Sequence, residues 1–280
     1  MFDMIRALIE DKPAIQNKIN LLREYLQTVI LYRLSHNKQA KNLYFGGGTA
    51  LRFFYNLPRF SEDLDFEYAL ASETLSLGDL LENVAQYFIR QNLDTTFSFQ
   101  EKPPVLRGNI KFPGLLYQLG LANEPNRAFL IKLEVDVSPP CLTNTETFTI
   151  AKFNYTFPLR KRSLEAMMAG KLAAIIRRPY TKGRDYYDLV WYLLRGIHPD
   201  LQVLADLTGI DSLPRLYQDL ENNLRQVDSR LIAKDVAPFL ERPEEADNLH
   251  RLPEIFEQYK QVLQLAKPAS RHSDEDQHPR

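Results

Sequence analysis

Residues 43–68 hold the arrangement that most restricts how this chain can fold. Leu43, Tyr44 and Phe45 form a short apolar strand segment, the glycines Gly46, Gly47 and Gly48 break it, and residues 49–55 read as a short helix stopped at Pro58. Asp63-Leu64-Asp65-Phe66-Glu67-Tyr68 then alternates acid with apolar residue at period two. That is the pattern of a strand with one face in a core and the other in polar surroundings. Asp63 and Asp65 therefore point the same way, roughly 6.5–7 Å apart along the backbone. The unit is strand, glycine turn, helix, acidic strand.

Around this unit the apolar periodicity changes twice. Ile15, Ile19, Leu22, Leu26 and Ile30 recur at three- and four-residue steps, which predicts an amphipathic helix ending before His36. A second helix is expected over residues 72–91, with Leu77, Leu80, Leu81, Val84, Tyr87 and Phe88 on its apolar side. Strands are expected at residues 95–100, 109–112, 128–138 and 147–153, interrupted by the Pro103-Pro104 and Pro139-Pro140 pairs. After Pro158 the pattern becomes helical, beginning at residues 163–176 and continuing to about residue 266. The expected division is an α/β domain over residues 1–157, a helical lobe over 158–266, and a disordered tail over 267–280 that has almost nothing apolar. The fold class is α+β, with a mixed, largely antiparallel sheet that carries the acids and a helical lobe closing a cleft.

Composition removes several function classes. The 35 Lys+Arg balance 36 Asp+Glu, so overall charge names no partner, although residues 160–184 are locally basic: Arg160, Lys161, Arg162, Lys171, Arg177, Arg178, Lys182 and Arg184 stand against Glu165. Cys141 is alone, so neither an intramolecular disulfide nor a cysteine-rich zinc site can form. No apolar run approaches about 18 residues and the N-terminus has no signal-peptide pattern, which together with the lone cysteine gives a cytoplasmic expectation. The five histidines lack ligand spacing, which speaks against a zinc hydrolase, and no Gly-x-x-x-x-Gly-Lys-Ser/Thr motif is present. Tyr186, Tyr187, Trp191 and Tyr192 sit at helical spacing beside Leu189 and Leu193, a core pattern rather than a base-stacking platform.

Three stretches supply parts for metal-assisted phosphate chemistry. Gly47-Gly48-Thr49 leaves backbone N–H groups open at a helix start, where the helix dipole favours phosphate. Asp63 and Asp65 can converge on a hard cation, and without one they repel each other. Residues 131–137 repeat the device, with Lys132, Glu134 and Asp136 on one strand face and Ile131, Leu133, Val135 and Val137 on the other. Two Mg²⁺ ions held by such carboxylates would activate an attacking oxygen and neutralise a leaving pyrophosphate.

The Gly-Gly-Thr-Ala-Leu turn followed by Asp63-Leu64-Asp65 resembles the motif of the DNA-polymerase-β-like nucleotidyltransferase superfamily. Taken with Lys132 to Pro140, the Lys171 helix and the Gly-Arg-Asp-Tyr-Tyr-Asp-Leu run at residues 183–189, it is similar to the AbiEii toxins of bacterial abortive-infection toxin–antitoxin systems, relatives of the mycobacterial MenT toxins. That resemblance spans residues 43–194. It implies a metal-dependent nucleotidyltransferase of the polymerase-β-like fold, using an NTP and Mg²⁺, with a tRNA 3′ end as a candidate acceptor and a winged-helix AbiEi-like antitoxin as a candidate partner. Position by position it implies Gly47, Gly48, Thr49 and Ser61 at the nucleotide, and Asp63 and Asp65 on metal with Glu134 or Asp136 as the third carboxylate. It also implies Lys171 as a catalytic cation, with Arg184, Asp185 and Asp188 at the active site, Asp185 or Asp188 orienting the lysine or binding substrate. Nucleotide binding without turnover and a metal-dependent phosphohydrolase are the alternatives on the same carboxylates.

Overall fold

The computed structural model describes residues 1–68, 75–137 and 145–266, with side chains through residue 262. Cys141, Pro139-Pro140, the start of the helix expected from residue 72, and the tail lie outside the described residues. In chain order the elements are α1 (Phe2–Glu10), α2 (Ile15–Ser35), a 3₁₀ turn (Lys38–Asn42), β1 (Leu43–Gly46), α3 (Gly47–Tyr55), β2 (Leu64–Tyr68), α4 (Leu77–Arg90), β3 (Thr96–Gln100), β4 (Val105–Phe112), α5 (Leu115–Gln118), β5 (Phe129–Asp136), β6 (Thr145–Lys152) and β7 (Tyr155–Arg162). Helices follow: α6 (Leu164–Arg177), α7 (Gly183–Leu193), α8 (Leu201–Thr208), α9 (Leu213–Gln226), α10 (Ser229–Val236), 3₁₀ segments Ala237–Phe239 and Pro243–Arg251, and α11 (Leu252–Ala266).

The strands form one seven-stranded sheet in the order β3-β4-β5-β2-β1-β7-β6. Its pairings are parallel at β1/β7 and β2/β5 and antiparallel elsewhere, the mixed α+β architecture expected from the sequence. Period-two alternation divides the sheet's faces. Phe45, Leu64, Phe66, Leu133, Val135 and Phe157 turn one way into a core that also takes in residues of α2 and α4. Gly46, Asp65 and Glu134 are paired across three adjacent strands and share the opposite face.

Helix α2 is more central than an amphipathic stripe suggests. Its second half is buried nearly all round, Leu26 through Leu31 without a break, because α4, β5 and β7 all contact it. Ile15, which the periodicity placed on the buried stripe, is exposed at the helix start. A second apolar core joins α6 through α11, and α3 feeds both: Ala50 and Phe54 belong to the sheet's core, Leu51 to the helical one.

Strand β7 has no counterpart in the sequence reading, and the expected division after residue 157 falls inside it. Pro158 and the run Arg160-Lys161-Arg162 disguise it. Pro158 is tolerated because β1 pairs only with Arg160 and Lys161, so at the proline β7 has β6 alone as neighbour. Lys161 is fully buried, donating to the Tyr55 hydroxyl at 2.7 Å and the Glu146 carboxylate at 2.5 Å. The basic block is thus not a single surface.

Phe88 of α4 is fully buried and meets Phe112 edge to face at 5.0 Å. Phe88→Ala should cost about 3–5 kcal/mol, read as a lowered urea midpoint with an unchanged slope.

Candidate active site

The glycine turn is fixed by close approach, not merely by turn geometry. Gly47 opens α3 at φ +67°, and a Cβ there would stand 2.0 Å from Asp65 Oδ2. A Cβ on Gly48 would stand 2.3 Å from Arg59 Nη2 and 3.2 Å from Ser61 Oγ. Gly47 therefore requires glycine by both its φ and its contact, and a side chain at Gly48 would displace the Arg59 guanidinium. Gly46 caps α3 without a side-chain acceptor, so the first-turn N–H groups lack intrahelical partners where the helix dipole is positive. Thr49 is buried, and its hydroxyl donates to the Asp63 carbonyl, tying the helix start to the chain entering β2. Gln27 of α2 holds the same loop, its amide donating to the Ser61 and Glu62 carbonyls at 3.1 and 2.9 Å.

Beside this turn the acids occupy one sheet face. Asp65 stands opposite Glu134 across the parallel β2/β5 pair, and Glu67 stands opposite Asp136. Burial, then repulsion from Asp63 and Glu134, pushes the Asp65 carboxyl up to about 6, with Lys171 and Lys182 only partly restoring it. Glu134 behaves oppositely. Burial opposes its charge, but Lys132 at 2.6 Å and Arg107 at 3.3 Å prevail and hold it below the usual range. Glu134 lines the cleft, and Asp136 is not among the cleft's lining residues. Glu67 is engaged by Arg162 at 2.6 Å.

Among the described residues no three His, Cys, Asp or Glu side chains converge into a ready metal cage. Mg²⁺ seldom needs one, since it is commonly held by one or two carboxylates with water and substrate phosphates completing its shell. The Asp63–Asp65 pair, with Asp65 held above its ordinary pKa by burial and neighbouring acids, fits such a cation. Lys132 and Arg107 both engage Oε1 of Glu134.

The opposite wall comes from the helical part. Arg59, in the loop before β2, is buried and grips Asp188 of α7 through two bonds of 2.7 Å. Lys171 of α6 contacts Asp188 at 2.8 Å and Asp185 at 2.7 Å, and Arg178 also pairs with Asp185. Burial works against the charges of Lys171 and Asp188. Their partners outweigh it, raising the lysine and lowering the aspartate. Lys171 and Asp185 line the cleft, whereas Asp188 lies wholly buried behind them. Arg184 also lines it and bonds Glu62 at 3.0 Å. The resulting cleft has a volume of about 570 Å³. It collects Gly47, Gly48, Ser61, Asp63, Asp65 and Lys171 in one wall system, while Thr49 is spent fastening the loop.

Several cleft residues escaped the sequence reading. Arg59 has no local signature, because its meaning depends on a partner 129 positions away. Lys182 lines the cleft as well, its pKa lowered by burial and by the neighbouring cations Arg184, Lys171 and Arg178. Tyr186, Trp191 and Tyr192 are buried in the helical core, as their spacing indicated.

The profile of the family described as "Nucleotidyl transferase AbiEii toxin, Type IV TA system" matches residues 29–262. The chain belongs to the AbiEii family. It is accordingly a nucleotidyltransferase of a toxin family from type IV toxin–antitoxin systems. Among solved structures, JHP933 from Helicobacter pylori shares the fold at a TM-score of 0.53 and 20% identity, covering 88% of this chain and 94% of that one. A second Helicobacter pylori chain, assigned as a nucleotidyltransferase, is 19% identical at a TM-score of 0.47, covering 86% of this chain and 96% of that one. No curated protein matches the sequence. Among the described residues no helix is long and apolar enough to cross a membrane.

The Asp65 shift has a stability consequence in this AbiEii chain. Its carboxyl holds a proton more tightly in the fold, at about 6, than its ordinary value of 3.8. Ionised Asp65 therefore opposes folding, and stability is lost as pH rises through 6. In Mg²⁺-free buffer, Asp65→Asn should melt a few degrees above wild type at pH 7.5, the gap shrinking toward pH 4. Thermal melts at both pH values check this.

Proposed function

We propose that the chain moves a nucleoside monophosphate from an NTP to an acceptor hydroxyl in a Mg²⁺-dependent reaction, and that the acceptor is the 3′ end of a tRNA. The observation that carries the reading is the contact between Asp65 and Gly47. A carboxylate placed against the open N-terminus of α3 brings a cation site and a phosphate site together.

In this reading Gly47 and Gly48 present backbone N–H groups to the triphosphate, and Ser61 Oγ, beside Gly48, adds a hydroxyl donor. Asp63 and Asp65 hold Mg²⁺, with Glu134 rather than Asp136 as the third carboxylate because it faces the cleft. When bound, Mg²⁺ supplies Lewis-acid stabilisation of the charge developing on the phosphates. Lys171 acts as a point charge toward the triphosphate, fixed in place by Asp185 and Asp188. Asp188, buried beneath the lysine, is a positioning residue; Asp185 aligns Lys171 and Arg178, and Arg184 adds positive charge at the cleft wall. The acceptor oxygen forms a bond to the α-phosphorus and gives up its proton to solvent water, the bond from that phosphorus to the bridging oxygen breaks, and pyrophosphate leaves with the electrons of that bond.

The positive side chains Arg178, Lys182 and Arg184 lining the cleft suit a polyanionic substrate. The setting is the cytoplasm, where NTP and tRNA are both present, and a winged-helix AbiEi-like antitoxin is the proposed partner.

Asp63→Asn and Asp65→Asn should each lower transfer by on the order of 10²–10³-fold while leaving circular dichroism unchanged. Lys171→Ala should weaken NTP use more than it alters the melting temperature. Steady-state transfer assays at matched Mg²⁺, paired with melts, check these outcomes, and full activity in either aspartate variant would exclude the metal assignment.

A further inference from the structure

Lys182 is a cleft cation that the fold leaves uncommitted. Every other Lys or Arg side chain lining the cleft has a carboxylate oxygen within 3.3 Å. Lys182 lines it too, half-buried, and among the described residues no carboxylate pairs with it. Its backbone is nevertheless fixed. The residue is extended at the start of α7 and its carbonyl accepts from the Asp185 N–H at 2.9 Å. Next to it, Gly183 lies so close to α10 that a Cβ there would stand 2.3 Å from the Ile232 carbonyl oxygen. A rigid support thus delivers to the cleft an ammonium for which the described residues supply no counter-ion.

The surrounding charge sharpens the contrast. Burial lowers the Lys182 pKa, and Arg184, Lys171 and Arg178 add to that effect. Asp185 works the other way, but its carboxylate is already divided between Lys171 and Arg178. Lys171 is likewise committed, with carboxylates at 2.7 and 2.8 Å. Across the cleft, Lys182 and Lys171 both favour the charged form of Asp65 through space. An unpaired cation in the company of three others suits a ligand that carries several negative charges within a few ångströms. Pyrophosphate is such a ligand, whereas a nucleic-acid strand spreads its charge at one per phosphodiester.

We infer that Lys182 is the leaving-group cation of the transfer reaction, engaging the β and γ phosphates of the NTP from the helical wall, opposite Asp65. The inference rests on the transfer reading above. As the bond from the α-phosphorus to the α–β bridging oxygen breaks, its electron pair stays on that oxygen and the negative charge of the pyrophosphate rises. A lysine ammonium on a flexible stem, with no carboxylate of its own to satisfy, can follow that charge. Its attraction therefore grows between the bound NTP and the transition state, which is the condition for accelerating the step. The acceptor oxygen takes the place of pyrophosphate on the α-phosphorus, and its proton passes to solvent water.

The test uses the full-length chain as wild type, Lys182→Met and Lys182→Arg. Each is titrated calorimetrically in Mg²⁺ with inorganic pyrophosphate, a non-hydrolysable NTP analogue, the corresponding NMP and a single-stranded RNA oligonucleotide. Lys182→Met should bind pyrophosphate and the NTP analogue about tenfold more weakly, and NMP as wild type does. Lys182→Arg, which keeps the charge, should recover most of that loss. In transfer assays Lys182→Met should lower kcat on the order of 10²-fold, a larger factor than its rise in KM. Without ligand it should melt no lower than wild type, because it removes a half-buried charge that has no paired acid. Unchanged pyrophosphate affinity in Lys182→Met, an equal loss for NMP, or an arginine variant no better than the methionine one overturns the inference. A Lys182→Met chain that melts well below wild type marks the lysine as structural and overturns it too. Weakened RNA binding with pyrophosphate affinity intact overturns it in favour of an acceptor contact. A wild type that binds neither pyrophosphate nor the NTP analogue is the separate signature that the transfer reading has failed, and the inference falls with it.

Discussion

The buried pair between Arg59 and Asp188 holds the cleft together. Arg59 leaves the loop that precedes the acidic strand, and Asp188 belongs to a helix of the other core, so their two bonds of 2.7 Å join the sheet's polar face to the helical wall. Neither charge reaches solvent, and removing Asp188 would leave Arg59 buried without its bonded carboxylate, a loss of about 3–5 kcal/mol, whereas Asp188 would keep Lys171 if Arg59 were lost. Everything near the reacting groups leans on this pair. Arg59 packs against Gly48, Asp188 anchors Lys171, and Lys171 and Arg178 share Asp185. The loop is fastened independently as well, by Gln27 from α2 and by the Phe60 N–H donating to the Phe239 carbonyl at 2.8 Å.

Against this rigid frame the acids are left in tension. Glu134 and Glu67 each have a cation within bonding distance, whereas Asp65 feels two neighbouring carboxylates and only distant lysines. A fold selected for stability alone would place a cation there or remove an acid. Asp63 and Asp65 beside an open helix N-terminus form the electrostatic arrangement that the proposed divalent ion and phosphates would relieve. Gly47 makes the arrangement possible, since any side chain would occupy the place of the Asp65 carboxylate.

Those features were legible in the sequence because they are local. Period-two alternation placed Asp65 and Glu134 on strand faces, and three consecutive glycines before a helix marked the turn. Which of Glu134 and Asp136 lines the cleft was not legible, because it depends on how β5 sits in the β2 register. Strand β7 was hidden by Pro158 and a cationic run that looked like surface, yet Lys161 is in the interior. Arg59 was hidden for the reason any long-range ion pair is hidden. Asp185 and Asp188 looked alike on one helix, and only the packing shows that one lines the cleft while the other supports the lysine from beneath.

The central claim is that the cleft cleaves an NTP between its α and β phosphates and transfers the α-phosphoryl group. The most direct measurement supplies NTPs labelled at either the α or the γ phosphate, with Mg²⁺ and total tRNA, and follows where each label goes. The account predicts α label on RNA and γ label in pyrophosphate. γ label released as inorganic phosphate, with no α label on any macromolecule, would contradict it.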